Sequence, residues 1–268
     1  RPDIDDEIQD ELGIENIDLT IVNLYPFEDT VSKKDVTEED TIENIDIGGP
    51  SMIRAAAKNF YSKTIITSPD DYEMVICELD NNNCSVSYLI RKELALQAFK
   101  TTALYDANIQ KHFQTTVEKD AIPENLVLGL SKKQDLRYGE NPHQKAGLYS
   151  FGNINDTSLV GANIFQGKEL SYNNFLDANT AMRCSQELND PCCVIVKHVN
   201  PCGVAISDNI TNAYEKAFET DPESAFGGVI AVNRTVDENF ATKLINNQFV
   251  EVIIAPDYDA GALEVFKQ

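Results

Sequence analysis

Short apolar runs alternate along the chain with segments whose apolar residues recur at helical spacing. The runs predict strands at about residues 17–22, 63–67, 146–151, 193–196, 228–232 and 250–255. The helical spacing predicts helices at about residues 37–44, 52–58, 85–114, 170–188, 211–220 and 236–247, with a further helix starting near residue 68. Alternation of this kind predicts an α/β fold.

Several helix starts carry their own signals. Thr37 with Asp40 matches a capping box, and Ser68 followed by Pro69 is a strong helix start. Gly48 opens the segment Gly-Gly-Pro-Ser, which feeds an Ala-rich helix whose first N–H groups could hold an anion. Without other support, this segment is more typical of plain turn and cap chemistry.

The long helix predicted at 85–114 carries an apolar stripe. Its members are Leu89, Leu94, Leu96, Phe99, Leu104 and Tyr105. The stripe is explained by a core or by a partner surface, and it favours a dimer. Residues 115–125 are polar, contain Pro123 and break the periodicity, so they predict a linker between domains at 1–114 and 126–268.

Lys197 and His198 interrupt the apolar run 193–196 and therefore lie at the carboxyl end of a buried strand. Ligands of open α/β sheets bind at that end, which makes the pair a candidate for proton transfer. The alternative is an ordinary strand end with a solvated lysine. Both side chains can reach one substrate only if the strand bends at 199–201, and we predict that bend.

Residues 136–144 place many hydrogen-bonding groups in a tight turn between one Gly and one Pro. Arg137, Tyr138 and His143 are the candidates for ligand capture, and a surface hairpin tip is the alternative interpretation. The segment 170–177 opens the next helix, where Asn174 is either a cap or a ligand contact.

The chain is strongly acidic. Its 268 residues contain 22 basic and 44 acidic side chains, for a net charge of -22, with 42% hydrophobic and 25% charged residues. Such a field repels nucleic acid and anionic membranes, so neither is expected as a partner, and no apolar run reaches membrane-spanning length. A phosphorylated ligand would need a local basic pocket.

The six cysteines predict reduced thiols and a cytoplasmic protein, because the chain is large and has no signal-peptide pattern. A zinc-deaminase interpretation would use Cys192, Cys193 and Cys202 as ligands. It fails on spacing, since neither H-x-E nor P-C-x-x-C occurs, and no metal site is predicted.

Four motifs in one order carry a family resemblance: N-L-Y-P-F at 23–27, I-D-I-G-G-P-S at 45–51, R-Y-G-E-N-P-H-Q at 137–144 and K-H-V-N-P-C-G at 197–203. Together they resemble the bifunctional purine-biosynthesis family that combines AICAR formyltransferase with IMP cyclohydrolase. The resemblance implies a methylglyoxal-synthase-like partial domain followed by a cytidine-deaminase-like α/β domain, the first half of the transformylase.

The resemblance also implies site residues. The matches to cyclohydrolase chemistry are Tyr25, Asp46 and Lys58, with substrate contacts at Asn23, Ile47 and Gly48. Lys197 and His198 match the transformylase catalytic pair. Nucleotide contacts match Arg137, Tyr138 and Gly227, and His143, Asn174 and Glu251 lie in the same site. Asp46 and Lys58 can meet only if the intervening helix folds back or a substrate bridges them.

The implied reactions are formyl transfer from 10-formyltetrahydrofolate, the co-substrate, to AICAR, and ring closure of formyl-AICAR to IMP. The family implies a homodimer, and a monovalent cation is left open. Arg1 is not an initiator Met, and the family pattern extends beyond both ends, so the isolated chain is expected to be inactive. The alternatives are a non-catalytic assembly fragment and a Schiff-base enzyme using Lys197.

Overall fold

A computed structural model describes residues 2–117, 122–151 and 158–268. The described residues up to 131, together with Phe151, form one compact unit, and residues 132–150 and 158–268 form a second. Part of the predicted linker, residues 118–121, lies outside the described residues.

The first unit contains α1 (Pro2–Leu12), β1 (Leu19–Ile21), α2 (Phe27–Val31), α3 (Glu38–Glu43), α4 (Gly48–Lys58), β2 (Thr64–Ile66), α5 (Tyr72–Asn81) and α6 (Tyr88–Val117). β1 and β2 pair in parallel, with Leu19 opposite Thr64. α4 and α6 bury Ile53, Leu94 and Ala98 around Ile65 of β2, which forms the core of this unit.

Two of the predicted helix starts in this unit are confirmed, whereas α4 begins at Gly48 and so includes the Gly-Gly-Pro-Ser segment that was predicted to precede it. The Thr37 hydroxyl accepts the Asp40 N–H at 3.0 Å, and the Asp40 carboxylate accepts the Thr37 N–H at 3.3 Å, which completes the capping box of α3. Ser68 caps a 3-10 turn, Pro69–Asp71, that leads into α5. Local side-chain capping thus decides where these helices begin.

The predicted stripe of α6 does not form a single face. Leu94 and Tyr105 are buried, whereas Leu89, Leu96 and Phe99 are exposed by 69%, 57% and 41%. The stripe combines positions from two sides of the helix, because its successive spacings are five, two, three, five and one residues, and only residues three or four apart share a face. The stripe is therefore not one core-facing surface, and the partner-surface interpretation of its exposed members stays a prediction.

The second unit begins with β3 (Ser131–Leu136) and β4 (Ala146–Ser150), which form a two-stranded sheet. It continues with α7 (Tyr172–Gln186), β5 (Cys192–Lys197), β6 (Asn200–Ile206), α8 (Ile210–Thr220), α9 (Pro222–Ala225), β7 (Val229–Val232), α10 (Glu238–Asn247), β8 (Val252–Ile254) and α11 (Ala260–Val265). Strands β5 to β8 form a four-stranded sheet in the order β6-β5-β7-β8.

Helices cover both faces of this sheet. α7 packs Ala178 and Ala181 against Val194 and Val196 on one face. On the other face, Tyr214 of α8 and Phe240 of α10 belong to the same buried cluster as Cys193 and Ile195. Burial on both faces explains why the sequence of β5 is continuously apolar rather than alternating.

The chain reverses at His198–Val199, one to two residues earlier than the bend predicted at 199–201. Asn200 and Pro201, which we expected to end the strand, instead begin the return strand β6. β6 pairs antiparallel to β5, and the register shifts so that Ile195 lies opposite Gly203 and Val196 opposite Pro201. This irregularity accommodates a proline, which has no N–H to donate, in an edge strand.

Candidate active site

Three strand ends lie side by side in the four-stranded sheet, where β5 finishes and β7 and β8 begin. This row of strand ends is called the edge of the sheet below. Val196 near the end of β5 lies opposite Val229 at the start of β7, and Val229 lies opposite Val252 at the start of β8. Because β5 runs antiparallel to β7, the residues that follow β5 lie beside those that precede β7 and β8. Lys197, Gly227 and Glu251 therefore share this edge.

Lys197 is held by the backbone that precedes β7. Its ammonium donates to the carbonyl oxygen of Phe226 at 2.7 Å. The next residue, Gly227, has a φ of 71° and donates its N–H to the carbonyl of Phe249 at 2.8 Å. The cation therefore lies directly beside the glycine turn that the family resemblance implies as a nucleotide contact.

His198 and Val199 form a strained two-residue hairpin turn. Their φ angles are 54° and 65°, which is the pattern of a type I′ turn. Such turns favour Asn-Gly, and a β-branched residue in this conformation costs about 1–2 kcal/mol. Two hydrogen bonds hold the turn: the Asn200 amide donates to the His198 carbonyl at 2.8 Å, and the Val199 N–H donates to the Asp177 carboxylate at 2.6 Å.

A polar network joins Arg137, Tyr138, Asn174 and Glu251. The Asn174 amide donates to the Glu251 carboxylate at 2.6 Å, and its oxygen lies 3.5 Å from the Arg137 guanidinium. The same guanidinium lies 3.2 Å from the Tyr138 hydroxyl and 4.9 Å from the centre of the Tyr138 ring. The network presents donors and acceptors from three separate stretches of the sequence.

Asn174 has two roles in this network. Its oxygen accepts the N–H of Ser171 at 3.0 Å and the Ser171 hydroxyl at 2.8 Å, completing a capping box at the start of α7. The cap and the ligand-contact interpretations of Asn174 are therefore compatible.

Only the first two residues of the turn at 137–144 take part in this polar network. Arg137 donates its N–H to the Leu170 carbonyl, and Tyr172 donates its N–H to the Tyr138 carbonyl, both at 3.0 Å. These bonds attach the beginning of the turn to α7. His143 is exposed, and the structure gives it no hydrogen bond to any described residue.

The second unit also contains a cleft of about 490 Å³ beside α7. Its lining includes Leu136, Tyr172, Phe175, Met182 and Arg183. Leu136, Tyr172 and Phe175 belong to the segments 136–144 and 170–177 singled out from the sequence, but none of the candidate site residues lines the cleft, Lys197 and His198 included. The candidate site is therefore the open edge of the sheet rather than this cleft.

In the first unit, Asp46 connects Tyr25 to the start of α4. Its carboxylate accepts the Gly49 N–H at 2.7 Å and the Tyr25 N–H at 3.4 Å. The Asp46 N–H donates in turn to the Tyr105 hydroxyl at 2.7 Å. Each carboxylate oxygen retains a lone pair for a substrate donor, so the capping contacts and a role in catalysis are compatible.

The other residues matched to cyclohydrolase chemistry are more dispersed. Asn23 donates its amide to the Thr67 carbonyl at 3.2 Å, and Ile47 is 76% exposed. Gly48 and Lys58 are the first and last residues of one continuous helix, α4, so they lie about 15 Å apart. The helix does not fold back, and the structure does not bring Lys58 to Asp46.

The buried Tyr105 side chain is hydrogen-bonded to the backbone of the loop that contains Asp46. Its hydroxyl accepts the Asp46 N–H and donates to the Asn44 carbonyl at 3.1 Å, and burial raises the pKa of the phenol. Replacing Tyr105 by Phe should leave two backbone groups unsatisfied and lower the free energy of unfolding by about 1–3 kcal/mol.

Urea denaturation of Tyr105→Phe would measure this loss. Tyr88→Phe is the matched control, since no hydrogen bond of the Tyr88 hydroxyl to the described residues is seen. Equal stabilities of the two variants would contradict the anchoring role of Tyr105.

The cysteines do not gather into a metal site. All six are free thiols, and within residues 2–117, 122–151 and 158–268 no three His, Cys, Asp or Glu side chains come together as a metal-binding group. Burial raises the pKa of Cys192 and Cys193, so both thiols are held in the protonated form.

No helix within the described ranges is long and apolar enough to cross a membrane.

The AICARFT/IMPCHase bienzyme family matches residues 56–268, and the MGS-like domain family matches residues 1–51. The chain belongs to the AICARFT/IMPCHase bienzyme family. Membership confirms the family resemblance and the α/β class, with an MGS-like domain preceding the bienzyme domain. The two family matches end and begin inside α4, so they divide the sequence differently from the compact units.

A solved structure described as "Crystal structure of ForH" is also similar to this bienzyme-family chain. It shares 32% sequence identity over 42% of this chain, with a TM-score of 0.35. The match covers 58% of the ForH chain, so the present chain spans somewhat more than half of that relative's length.

Sequence reasoning missed two side chains and one backbone group of these sites. Asp177 holds the His198–Val199 turn, Tyr105 holds the Asp46 loop, and the Phe226 carbonyl holds Lys197. For Asp177 there was a signal, because it follows Asn174 by three residues and shares its helix face. Nothing in the sequence marks a backbone carbonyl as a hydrogen-bond partner.

Proposed function

We propose that this chain takes part in the last two steps of purine biosynthesis, with formyl transfer at the edge of the four-stranded sheet and ring closure at the Asp46 loop. The observation that carries the first assignment is the shared edge of Lys197, Gly227 and Glu251, to which the Arg137–Asn174 network is joined. Family membership supports both activities.

The network on α7 is suited to a phosphorylated nucleoside. Arg137 supplies positive charge on a chain whose net charge is -22, and Glu251 supplies an acceptor for ribose hydroxyls. AICAR bound here would have its base near the end of β5. The matched nucleotide contacts Arg137, Tyr138, Asn174, Gly227 and Glu251 are the residues proposed to bind it, with His143 at the margin.

Formyl transfer requires activation of a weak nucleophile. The exocyclic amine of AICAR is conjugated with the ring, so it attacks the formyl carbon only as its proton is removed. His198 is the proposed general base: as it takes up the proton, the new N–C bond gives a tetrahedral intermediate, which then collapses as the bond from carbon to the folate nitrogen breaks. Lys197 stabilises the oxyanion of the tetrahedral intermediate or protonates the departing folate nitrogen.

Ring closure is the proposed role of the first unit. The carboxamide nitrogen of formyl-AICAR attacks the formyl carbon, and water leaves. Asp46 orients or deprotonates the carboxamide, and Tyr25 donates to the departing oxygen. Lys58 can contribute only through a substrate that spans the length of α4 or from another chain, since about 15 Å separates it from Gly48.

The Schiff-base alternative is less well supported. An imine-forming lysine needs a neutral amine in a dry apolar setting. Lys197 is only half-buried at a strand end, and it donates to a carbonyl oxygen. Failure of borohydride to trap a carbonyl compound on Lys197 is therefore expected. The assembly-fragment alternative is separated by the assay below.

The test is tetrahydrofolate release from AICAR and 10-formyltetrahydrofolate, measured for the natural polypeptide that carries these residues and for the 268-residue chain alone. Transfer by the former and none by the latter is expected, with AICAR bound by both. Absence of both binding and transfer in the natural polypeptide would overturn the proposal. A homodimer and a cytoplasmic location belong to the same proposal.

A further inference from the structure

We propose that Asp177 is a positioning residue for His198, acting through the backbone of the hairpin turn. This inference rests on the proposed formyl transfer, because it assigns Asp177 a role in that site. Asp177 does not hydrogen-bond the His198 side chain; its carboxylate accepts the N–H of Val199 at 2.6 Å. The bond fixes the residue next to the proposed base.

The turn needs such an anchor because its sequence disfavours its conformation. His198 and Val199 both have left-handed φ angles, and neither is the Gly or Asn that a type I′ turn favours. Strained residues persist only where the surroundings determine their conformation, and they cluster at functional sites. Without the Asp177 bond, the Asn200 amide remains as the other bond that holds the turn, so the turn can relax at Val199 and the imidazole moves with it.

The anchor is itself rigid. Asp177 lies in the first half of α7, directly before Ala178, which is fully buried against the sheet. Three residues earlier on the same helix, Asn174 donates to Glu251. One helical face therefore carries both a proposed nucleotide contact and the anchor of the proposed base, so their relative positions are set by helix geometry.

Two kinds of substitution separate geometry from charge. Asp177→Asn keeps an oxygen that can accept the Val199 N–H but removes the negative charge, whereas Asp177→Ala removes both. Val199→Gly lowers the cost of the left-handed conformation, so the anchor should matter less in its presence. Glu187→Ala, at the other end of α7, is the matched control for loss of a carboxylate.

The first measurement is amide hydrogen exchange of residue 199 by NMR, which needs no substrate. Protection in Asp177→Ala is expected to fall about tenfold, the effect of losing one charge-assisted hydrogen bond. Protection in Asp177→Asn should fall by less than in Asp177→Ala, because a neutral acceptor remains, and protection in Glu187→Ala should equal that of the wild type. Unchanged protection in Asp177→Ala, or an Asn variant as unprotected as the Ala variant, would overturn the anchoring role.

The second measurement is formyl transfer by the natural polypeptide with the same substitutions. In Asp177→Ala, kcat should fall about tenfold to a hundredfold while KM for AICAR is unchanged, since a misplaced base slows chemistry without weakening binding. Adding Val199→Gly should recover most of the lost kcat, and Asp177→Asn should retain it. If Asp177→Ala does not fold, Asp177→Glu, which keeps the charge but moves the carboxylate by one methylene, should show a smaller fall in kcat at unchanged KM, and an unchanged kcat would count against the inference.

Three outcomes would overturn the catalytic part of the inference: an unchanged kcat in Asp177→Ala, no recovery with Val199→Gly, or a loss confined to KM. Failure of the proposed function itself looks different. In that case the wild-type polypeptide transfers no formyl group, whereas the exchange measurement still reports whether Asp177 holds the turn.

Discussion

Replacing His198 by Gln is expected to lower formyl transfer by about 10²- to 10⁴-fold, the usual contribution of a positioned acid or base. Glutamine retains hydrogen-bonding capacity but cannot take up the proton of the attacking amine. The loss should therefore appear in kcat, with AICAR affinity and the free energy of unfolding unchanged. Tetrahydrofolate release by the natural polypeptide measures the rate, and calorimetric titration with AICAR measures binding.

His112→Gln is the matched control, because it removes an imidazole from the first unit, where it packs edge-on against Phe27. Its formyl transfer should equal that of the wild type. A His198→Gln variant that retains full activity would exclude His198 as the base. Equal losses in both variants would instead point to a general effect on folding.

Replacing Gly203 by Ala is expected to destabilise the second unit by at least about 3 kcal/mol, the upper range for overpacking a closely packed site. A Cβ at this position would lie 2.1 Å from the carbonyl oxygen of Ala217 and 2.9 Å from its carbonyl carbon. These are backbone atoms of α8, so no side chain can rotate away. Either α8 or β6 must shift.

Urea denaturation monitored by circular dichroism would measure the change. Val204→Ala is the control in the same edge strand, because Val204 is exposed by 43% and its loss should cost less than about 1 kcal/mol. A Gly203→Ala variant as stable as Val204→Ala would mean that β6 and α8 do not approach each other this closely.

Most elements of the fold could be predicted from local signals. The apolar runs of β5, β7 and β8 and the caps of α3 and α7 need only neighbouring residues, and the structure has each of them. Buried strands are marked by continuous hydrophobicity, and helix starts by side chains that satisfy free N–H groups.

The direction of β5 could not be predicted, because hydrophobic runs carry no information about pairing. The return strand β6 was missed because Pro201 and Gly203 are usual strand breakers, and its pairing depends on a bulge and on an edge position. Yet this antiparallel direction is what joins Lys197 to Gly227 and Glu251. Parallel pairing would have set them a strand length apart.

The candidate sites were predictable only in their residue types. The family resemblance named Arg137, Asn174 and Glu251, which the structure joins, but it also named Lys58, which lies at the far end of α4 from Gly48. A motif records residues along the sequence, whereas proximity depends on helix length and strand direction. The roles of the joined residues remain predictions.

The rate at which the buried thiols react with an alkylating reagent would report how often the four-stranded sheet opens. Cys77 and Cys84 are exposed in the first unit, whereas Cys192 and Cys193 are buried in β5. An alkylating reagent modifies exposed thiols at once but reaches interior ones only when the surrounding structure transiently opens. The rate of the slow labelling phase would therefore measure how often β5 is transiently exposed. The fast phase, from the exposed thiols, gives the reagent's reactivity in the same sample.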